Sequence, residues 1–249
     1  MREPPATHAA ALLGELVIAP RFCGPPDAGN GGYVAGLLAG YAAGPVDVRL
    51  LRPLPLGVPL ALTRDAADGL ALSDAARLLA TATPAALELA VPPAPSFAAA
   101  TEAALGYAAI AGEHAAPRCF VCGPARAPGD GLRLATGALA PAGAGGLHAA
   151  PWVPDASLAG TRGRVRPEFV AAALDCPGYF AIADDARMRV LGRMSLAIEA
   201  PVAVGERCVV AAWSLGGAGR KRDAATAVYA ASGQCVARAV ATWLELRSA

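Results

Sequence analysis

Charge is scarce in this sequence, and the positive charge is almost all arginine. Charged residues make up 16% of the 249 residues, the formal net charge is +1, and Lys221 is the only lysine. Proteins that hold nucleic acid through broad electrostatic contacts carry a clear excess of basic residues. The near-neutral balance therefore argues against a nucleic-acid partner.

Long uninterrupted apolar runs are missing as well. Glycine and proline break the uncharged stretches, and none of these resembles a membrane span. The N-terminus has acidic and proline residues and no compact apolar stretch after a basic start, so it does not resemble a signal peptide. Apolar residues still make up 55% of the chain, which is ample for a sizeable core. We expect a globular cytoplasmic protein with no membrane partner.

Histidine is rare, which limits the metal sites that the sequence can form. There are three histidines and six cysteines, and the only CxxC motif is Cys119-Phe-Val-Cys122. A structural zinc site would need a second such pair or suitably spaced histidines, and only His114 lies near the motif. The favoured interpretation is a turn with two small, partly buried thiols in a reducing compartment and no metal, and a zinc site is the alternative.

The two halves of the sequence resemble each other in the order of their motifs. Pro53 and Gly57 in the first half match Pro201 and Gly205 in the second, and segment 77–82 matches 234–239. Such self-similarity indicates two copies of one supersecondary unit. The distance between matching residues grows along the chain, which predicts a longer loop between strands in the second copy.

Each half also shows the same succession of predicted elements. A short strand (about 15–22 and about 147–153) leads into an Ala/Leu-rich helix (about 31–43 and about 167–183), and three or four strands follow. The strand candidates of the second half are 194–198, 208–213, 224–229 and 234–246. Residues 92–146 join the halves, with a helix over about 97–111 capped by Ser96 and an irregular loop over 117–130. The succession is typical of an α+β fold in which helices lie on an antiparallel sheet.

Both the succession and the helix-start motifs resemble a known family. Strand, helix start and four-strand run resemble the hotdog fold, in which a sheet wraps a central helix. Asn30-Gly31-Gly32 is similar to the His-Gly-Gly motif of acyl-CoA thioesterases with that fold, with Asn in place of His. Ala173-Leu174-Asp175 is similar to the Leu-Leu-Asp-like segment that follows the motif, and Cys119-Phe-Val-Cys122-Gly123 is similar to the lead-in of many single hotdog thioesterases.

The resemblance covers most of residues 14–249 and implies a tandem, or double, hotdog. The N-terminal copy would span 14–92, a linker with a helix and the CxxC loop would span 93–146, and the C-terminal copy would span 147–249. Two such copies in one chain would mimic the dimer that single-copy members form.

The resemblance also implies a composite site between the copies. A thioester hydrolase needs N–H donors for the developing oxyanion and a carboxylate that activates water or attacks the carbonyl. Gly31 or Gly32 would supply the oxyanion donor, Asn30 would orient water or the thioester carbonyl, and Asp175 would be the general base or nucleophile. The alternatives are structural: the glycines permit a tight loop, and Asp175 serves a turn, with Pro177 kinking or ending the helix just after it.

The reverse pairing predicts a degenerate second site. It combines Arg166-Pro167-Glu168 with Ala39, and Pro167 has no N–H to donate while Ala39 has no acid. One working site per chain is therefore expected, and Arg166 and Glu168 are expected to form a surface ion pair of little energetic weight.

Arg220, Lys221 and Arg222 form the densest basic cluster, which is placed in the extra loop of the second copy. Coenzyme A carries phosphates that such a cluster could contact, so these three residues are the candidate substrate-binding set. The alternative is a solvated hairpin tip.

The leading hypothesis is a hydrolase of acyl-CoA or acyl-pantetheine thioesters, with a small-molecule substrate and no cofactor other than the coenzyme A within it. A non-catalytic acyl-CoA-binding or assembly module is the alternative, and the replacement of His by Asn30 would suit it. A hotdog dehydratase usually needs a catalytic histidine, and none of His8, His114 and His148 lies at a helix start. Exposed sheet edges could pair chains, so a homo-oligomer stays open.

Overall fold

The structure of the chain is a computed structural model that describes residues 10–75, 77–110, 114–139, 146–183 and 187–246. The strands of the described residues are β1 Ala11–Val17, β2 Val46–Leu50, β3 Pro59–Arg64, β4 Leu70–Asp74, β5 Arg77–Pro84, β6 Gly137–Ala138, β7 His148–Trp152, β8 Arg189–Ile198, β9 Cys208–Ala218, β10 Lys221–Tyr229 and β11 Cys235–Glu245. The α-helices are α1 Gly31–Ala39, α2 Phe97–Ile110, α3 Pro167–Ala173 and α4 Cys176–Ala181.

These strands form one antiparallel sheet in the order β1-β3-β4-β5-β2-β8-β11-β10-β9-β7-β6. The halves of the chain meet where β2 pairs with β8, and Val46 lies opposite Leu196 there. Outward from this junction the succession is β2, β5, β4, β3, β1 on one side and β8, β11, β10, β9, β7 on the other. The expected large antiparallel sheet with few helices is confirmed.

Helix α1 begins where the side chain of Asn30 caps it. Asn30 has an extended backbone, and its Oδ1 accepts a hydrogen bond of 2.8 Å from the Tyr33 N–H. Such a cap satisfies one of the N–H groups that have no partner inside the first turn. The helix ends at Ala39, so Tyr41 lies beyond its end and the expected extension to about residue 43 is wrong.

Helices α1 and α3 pack against each other in opposite directions through a face of small residues. Gly32 lies against Ala171 and Ala172, whereas Gly36 lies against Glu168. A Cβ atom on Gly36 would stand only 2.5 Å from the Glu168 Cα, so the two backbones approach too closely for any side chain there. This packing brings the start of α1 beside the end of α3.

The expected single helix over about 167–183 is broken into α3 and α4. Pro177 has no N–H, and its ring would clash with the carbonyl of the residue four positions earlier, which is Ala173. Helix α3 ends at Ala173, and Asp175 adopts φ −83° and ψ −87°, outside the helical region. The proline therefore breaks the helix before Asp175 and not after it.

Two strand boundaries also differ from the sequence-based expectation. The first strand is β1 at Ala11–Val17, because Pro20–Phe22 forms a short 3₁₀ turn. The extra residues of the second half lengthen β9 and β10, and only Gly219 and Arg220 form the turn between them. Gly219, at φ +57°, suits that two-residue turn. The extra loop is therefore not at residues 220–222, and Lys221 and Arg222 belong to β10.

The joining segment is part of the packed structure. Helix α2 starts as expected after Ser96, whose Oγ accepts a hydrogen bond of 3.1 Å from the Ala99 N–H, and it packs on β6, β7 and β9. The loop over 117–130 inserts Phe120 and Val121, both fully buried, into the main core. Within the described residues, no helix has the length and apolar character needed to cross a membrane.

The close contact of α1 with α3 predicts opposite effects for two glycine-to-alanine substitutions. Gly36→Ala should lower the free energy of unfolding by about 1–3 kcal/mol, because the added methyl group overlaps the α3 backbone. Gly106→Ala is the matched control, since Gly106 lies on an exposed face of α2 with nothing within 4 Å of the added atom. It should raise stability by up to about 1 kcal/mol through helix propensity. Urea unfolding measures both, and equal effects would contradict the packing described.

Candidate active site

The start of α1 and the break between α3 and α4 bring the predicted site residues together. Asp175 Oδ2 accepts two hydrogen bonds, one of 2.9 Å from the Gly32 N–H and one of 2.8 Å from Asn30 Nδ2. Asn30 and Asp175 are each 2% exposed. Residues more than 140 positions apart in the sequence therefore share one buried polar contact.

Asn30 uses both ends of its side-chain amide inside the protein. Its Nδ2 donates to Asp175, and its Oδ1 accepts from Tyr33. An amide oriented by two such bonds holds the carboxylate in place. Asn30 therefore links Asp175 to the start of α1, and its expected role of orienting water or the thioester carbonyl stays a prediction.

The other oxygen of the Asp175 carboxyl group is unusual. Oδ1 is buried and has no hydrogen-bond partner among the described residues. Leaving a buried acceptor unpaired costs roughly 1–3 kcal/mol, so most such atoms in proteins are satisfied. Asp175 Oδ1 therefore keeps its capacity to accept a hydrogen bond from a donor other than the described residues.

Burial raises the pKa of Asp175 to about 7, and the hydrogen bond from the Gly32 N–H opposes that increase. Water is a much better solvent for a carboxylate than a protein interior, so burial disfavours the charged form. A carboxyl group with a pKa near neutrality can take up and release a proton under physiological conditions, which is what a general base must do.

The two glycines of the motif differ in their backbone N–H groups. The Gly32 N–H is bound to Asp175, whereas no described residue accepts a hydrogen bond from the Gly31 N–H. The N–H groups of a helix start lie at the positive end of the helix dipole and favour negative charge. Gly31 is therefore the residue of the pair whose N–H has no acceptor among the described residues.

An aromatic cluster adjoins the site residues on α1. Tyr33 stacks on Phe22 with ring centroids 4.2 Å apart, and Phe120 and Phe169 complete the group. Burial raises the pKa of Tyr33 to about 12, so its hydroxyl group stays protonated at neutral pH. The sequence reasoning missed this cluster, whose members come from four separate segments.

A group of three cysteines lies near Asn30. The sequence reasoning missed one of them, Cys176. The Sγ atoms of Cys119, Cys122 and Cys176 lie within 4.8 Å of one another, an arrangement that could hold a metal ion. Asn30 Nδ2 is 3.9 Å from Cys119 Sγ. The signal for the third thiol was its position directly after Asp175, since any structure that places Asp175 near the CxxC loop brings Cys176 with it.

The second helix start does not reproduce this arrangement. Arg166 and Glu168 form the expected ion pair, with 3.0 Å between Nε and Oε1, and Arg166 lies over the ring of Phe169. Pro167 occupies the first helical position and offers no N–H.

The basic cluster lies away from Asp175. Arg220 and Lys221 are exposed at the hairpin of β9 and β10, and Arg222 is half-buried, with its Nη1 bound to the Gly219 carbonyl at 3.0 Å. Thr226, further along β10, donates to the Leu174 carbonyl beside Asp175. Because strands rise about 3.3 Å per residue, Lys221 is roughly 16 Å from Thr226 along the strand.

The chain was compared with known sequences and structures. No family model and no curated protein matches it. A candidate thioesterase from Novosphingobium aromaticivorans superposes with a TM-score of 0.62 at 14% identity, over 98% of this chain and 100% of that one. A protein of unknown function with a hotdog fold from Alicyclobacillus acidocaldarius gives a TM-score of 0.59 at 10% identity, over 98% and 97%.

The tesB protein of Mycobacterium avium subspecies paratuberculosis gives a TM-score of 0.55 at 14% identity and covers 88% of each chain. Identities this low carry information on the fold and not on the activity. The chain therefore has the hotdog fold, as the sequence resemblance implied.

Proposed function

We propose that the protein hydrolyses acyl thioesters of coenzyme A or of another pantetheine carrier at one composite site per chain. The observation that carries the proposal is the Asp175 carboxyl group, with one oxygen held by Gly32 and Asn30 and the other unpaired. Asp175 acts as the general base, and Oδ1 accepts the proton of the attacking water. The Gly31 N–H stabilises the oxyanion of the tetrahedral intermediate.

We further propose that the chain is a double hotdog. Residues 14–92 would form one copy, 147–249 the other, and 93–146 the linker, with α1 and α3 as the central helices. The matching strand order on both sides of the β2–β8 junction supports this arrangement. The site then takes its N–H groups from the first copy and its acid from the second, and the Arg166-Pro167-Glu168 start has lost its function.

The alternative function is a non-catalytic module that binds acyl-CoA. The burial of Asn30 and Asp175 favours it, because a catalytic carboxylate must reach its substrate. Half-buried Gly31 is the part of the motif that a ligand could contact. A cytoplasmic location, the absence of a further cofactor and the association of copies stay predictions.

Removing the charge of Asp175 should abolish hydrolysis. With acyl-CoAs of short, medium, long and aromatic acyl groups, Asp175→Asn should lower kcat by about 10²- to 10⁴-fold, since a general base contributes that much. Free thiol release measures the rate. Asp74→Asn is the control, because Asp74 pairs with Arg77 at an exposed hairpin. Full activity of Asp175→Asn would exclude the assignment, and tight binding of CoA esters without cleavage by the wild type would favour the binding module.

Exchanging the side chains of Asn30 and Asp175 tests the effect of their contact on stability separately from its effect on catalysis. Asn30→Asp alone should lower the free energy of unfolding at pH 8 by about 1–3 kcal/mol or more, because it replaces the 2.8 Å hydrogen bond with two facing carboxylates. The double variant N30D/D175N removes one of the two facing charges and should recover part of that loss while staying inactive. Recovery is partial because the single atom that accepts from both Gly32 and Asn30 in the wild type cannot accept from Gly32 and also donate to the carboxylate introduced at position 30. Urea unfolding measures the stabilities. A double variant no more stable than N30D would contradict the direct contact.

The basic cluster should contribute to binding only through the phosphates of coenzyme A. Replacing Arg220, Lys221 and Arg222 together by alanine should raise KM for an acyl-CoA about tenfold, as expected for a few exposed charge contacts. KM for the matching acyl-N-acetylcysteamine, which has no phosphate, should not change. Arg77→Ala provides an exposed arginine control on another hairpin. An equal KM for acyl-CoA in variant and wild type would assign the cluster to a solvated hairpin.

A further inference from the structure

Three cysteines converge in the core beside the proposed site. Cys119 and Cys122 come from the loop over 117–130, and Cys176 comes from the start of α4. All three are buried, the Cys119 and Cys176 sulfur atoms are 3.6 Å apart, and the three Sγ atoms lie within 4.8 Å of one another. A zinc ion bound to tetrahedral thiolates at about 2.3 Å holds neighbouring sulfur atoms about 3.8 Å apart.

The loop that carries the CxxC motif is fixed in a tight turn. The Gly123 N–H donates to the Cys119 carbonyl at 2.9 Å, and a Cβ atom on Gly123 would lie 2.5 Å from that same oxygen. The Tyr107 hydroxyl group donates to the Cys122 carbonyl from α2. The turn therefore presents two thiols from a rigid backbone, as structural metal turns require.

The same region contains a polar group that itself points to a ligand. Asp175 Oδ1 is buried without a partner among the described residues, and Asp175 is the immediate neighbour of Cys176. The Asn30 amide links the two groups, since its Nδ2 donates to Asp175 Oδ2 at 2.8 Å and lies 3.9 Å from Cys119 Sγ.

His114 does not complete the site in its present tautomer. Its Nδ1 accepts a hydrogen bond of 3.0 Å from the Ala116 N–H, so its proton lies on Nε2. A protonated nitrogen cannot bind a metal ion. The described residues therefore offer three thiolates, and the fourth position is left to a ligand from solvent.

A buried cation adjoins the thiols. Arg126, whose side chain is 4% exposed, donates from Nε to the Cys119 carbonyl at 3.2 Å. Three thiolates on one Zn²⁺ carry a net charge of −1, which is costly to bury alone. Arg126 also pairs with Asp130, with 3.2 Å between Nη1 and Oδ2, so only the part of its charge that this carboxylate leaves uncompensated would offset that cost.

We propose that Cys119, Cys122 and Cys176 bind one zinc ion as thiolates, with a water molecule as the fourth ligand. Binding converts three thiols and one Zn²⁺ into a zinc tris-thiolate and three released protons. The sequence-based preference for two plain thiols without metal is thereby replaced. The metal site does not rest on the proposed hydrolase, because the ion would tie the loop to α4 even in a binding module.

Metal analysis of the full-length protein, purified from medium containing zinc, tests the proposal. The wild type should hold about one zinc per chain, and Cys119→Ser, Cys122→Ser and Cys176→Ser should each hold less than about a tenth of that. Cys23→Ser is the matched control, because Cys23 is buried in the same region but its Sγ donates to the Arg118 carbonyl. A zinc content that is the same in Cys176→Ser and Cys23→Ser would overturn the proposal.

Cobalt(II) decides the matter if a cysteine variant fails to fold. The reduced wild type, stripped of metal and loaded with cobalt, should show thiolate-to-cobalt charge transfer and the strong visible bands of a tetrahedral site; absence of both would overturn the proposal. Asp175→Asn should keep full metal content while it loses hydrolysis. A wild type that hydrolyses thioesters but holds no metal would contradict the metal site and leave the proposed function standing. A wild type that holds zinc but hydrolyses no thioester would contradict the proposed function and leave the metal site standing.

Discussion

The buried carboxyl group of Asp175 is the constraint on which the rest of the site depends. Its Oδ2 must find donors in a region without solvent, and the Gly32 N–H and the Asn30 amide supply them. Both donors belong to the start of α1, so they reach Asp175 only if α1 packs closely and in the opposite direction against α3. The glycines at 32 and 36 make that approach geometrically feasible. The sequence of α1 is thus dictated by its neighbour as much as by helix formation.

The hydrogen bonds in turn fix the neighbouring groups of the proposed site. Because the Gly32 N–H is used to hold the carboxylate, only Gly31 of the pair has an N–H without an acceptor among the described residues. Because Asn30 caps α1 and binds Asp175 at once, it fixes the distance between the donor end of one helix and the acid of the other. Asn30, Gly31 and Gly32 thus supply all the groups that the first half of the chain contributes to the proposed site.

Much of this could be predicted from the sequence, and the failures have physical causes. The Asn-Gly-Gly motif and Asp175 were paired because each lies at a recognisable place in a repeated pattern. The position of the break at Asp175 was missed because Pro177 acts four residues back, on the carbonyl of Ala173. The extent of β9 and β10 was missed because glycines at 216, 217 and 219 predict a loop, whereas pairing with β10 keeps Gly216 and Gly217 in the sheet and leaves only Gly219 in the turn. Cys176 was missed as a third thiol because its only signal was its position next to Asp175, and nothing in the sequence places Asp175 beside the CxxC loop.

A purely structural role for Asp175 does not explain two energetic costs, the burial of an acid and its unpaired oxygen. If the carboxyl group served only to join α1 to α3, an asparagine or a serine could accept the Gly32 N–H without the cost of burying an acid, and burial would not have to raise its pKa to about 7. The unpaired Oδ1 adds to that cost. Both costs have a reason if a ligand donates to Oδ1 in the working protein, and a water molecule that attacks a thioester meets that need.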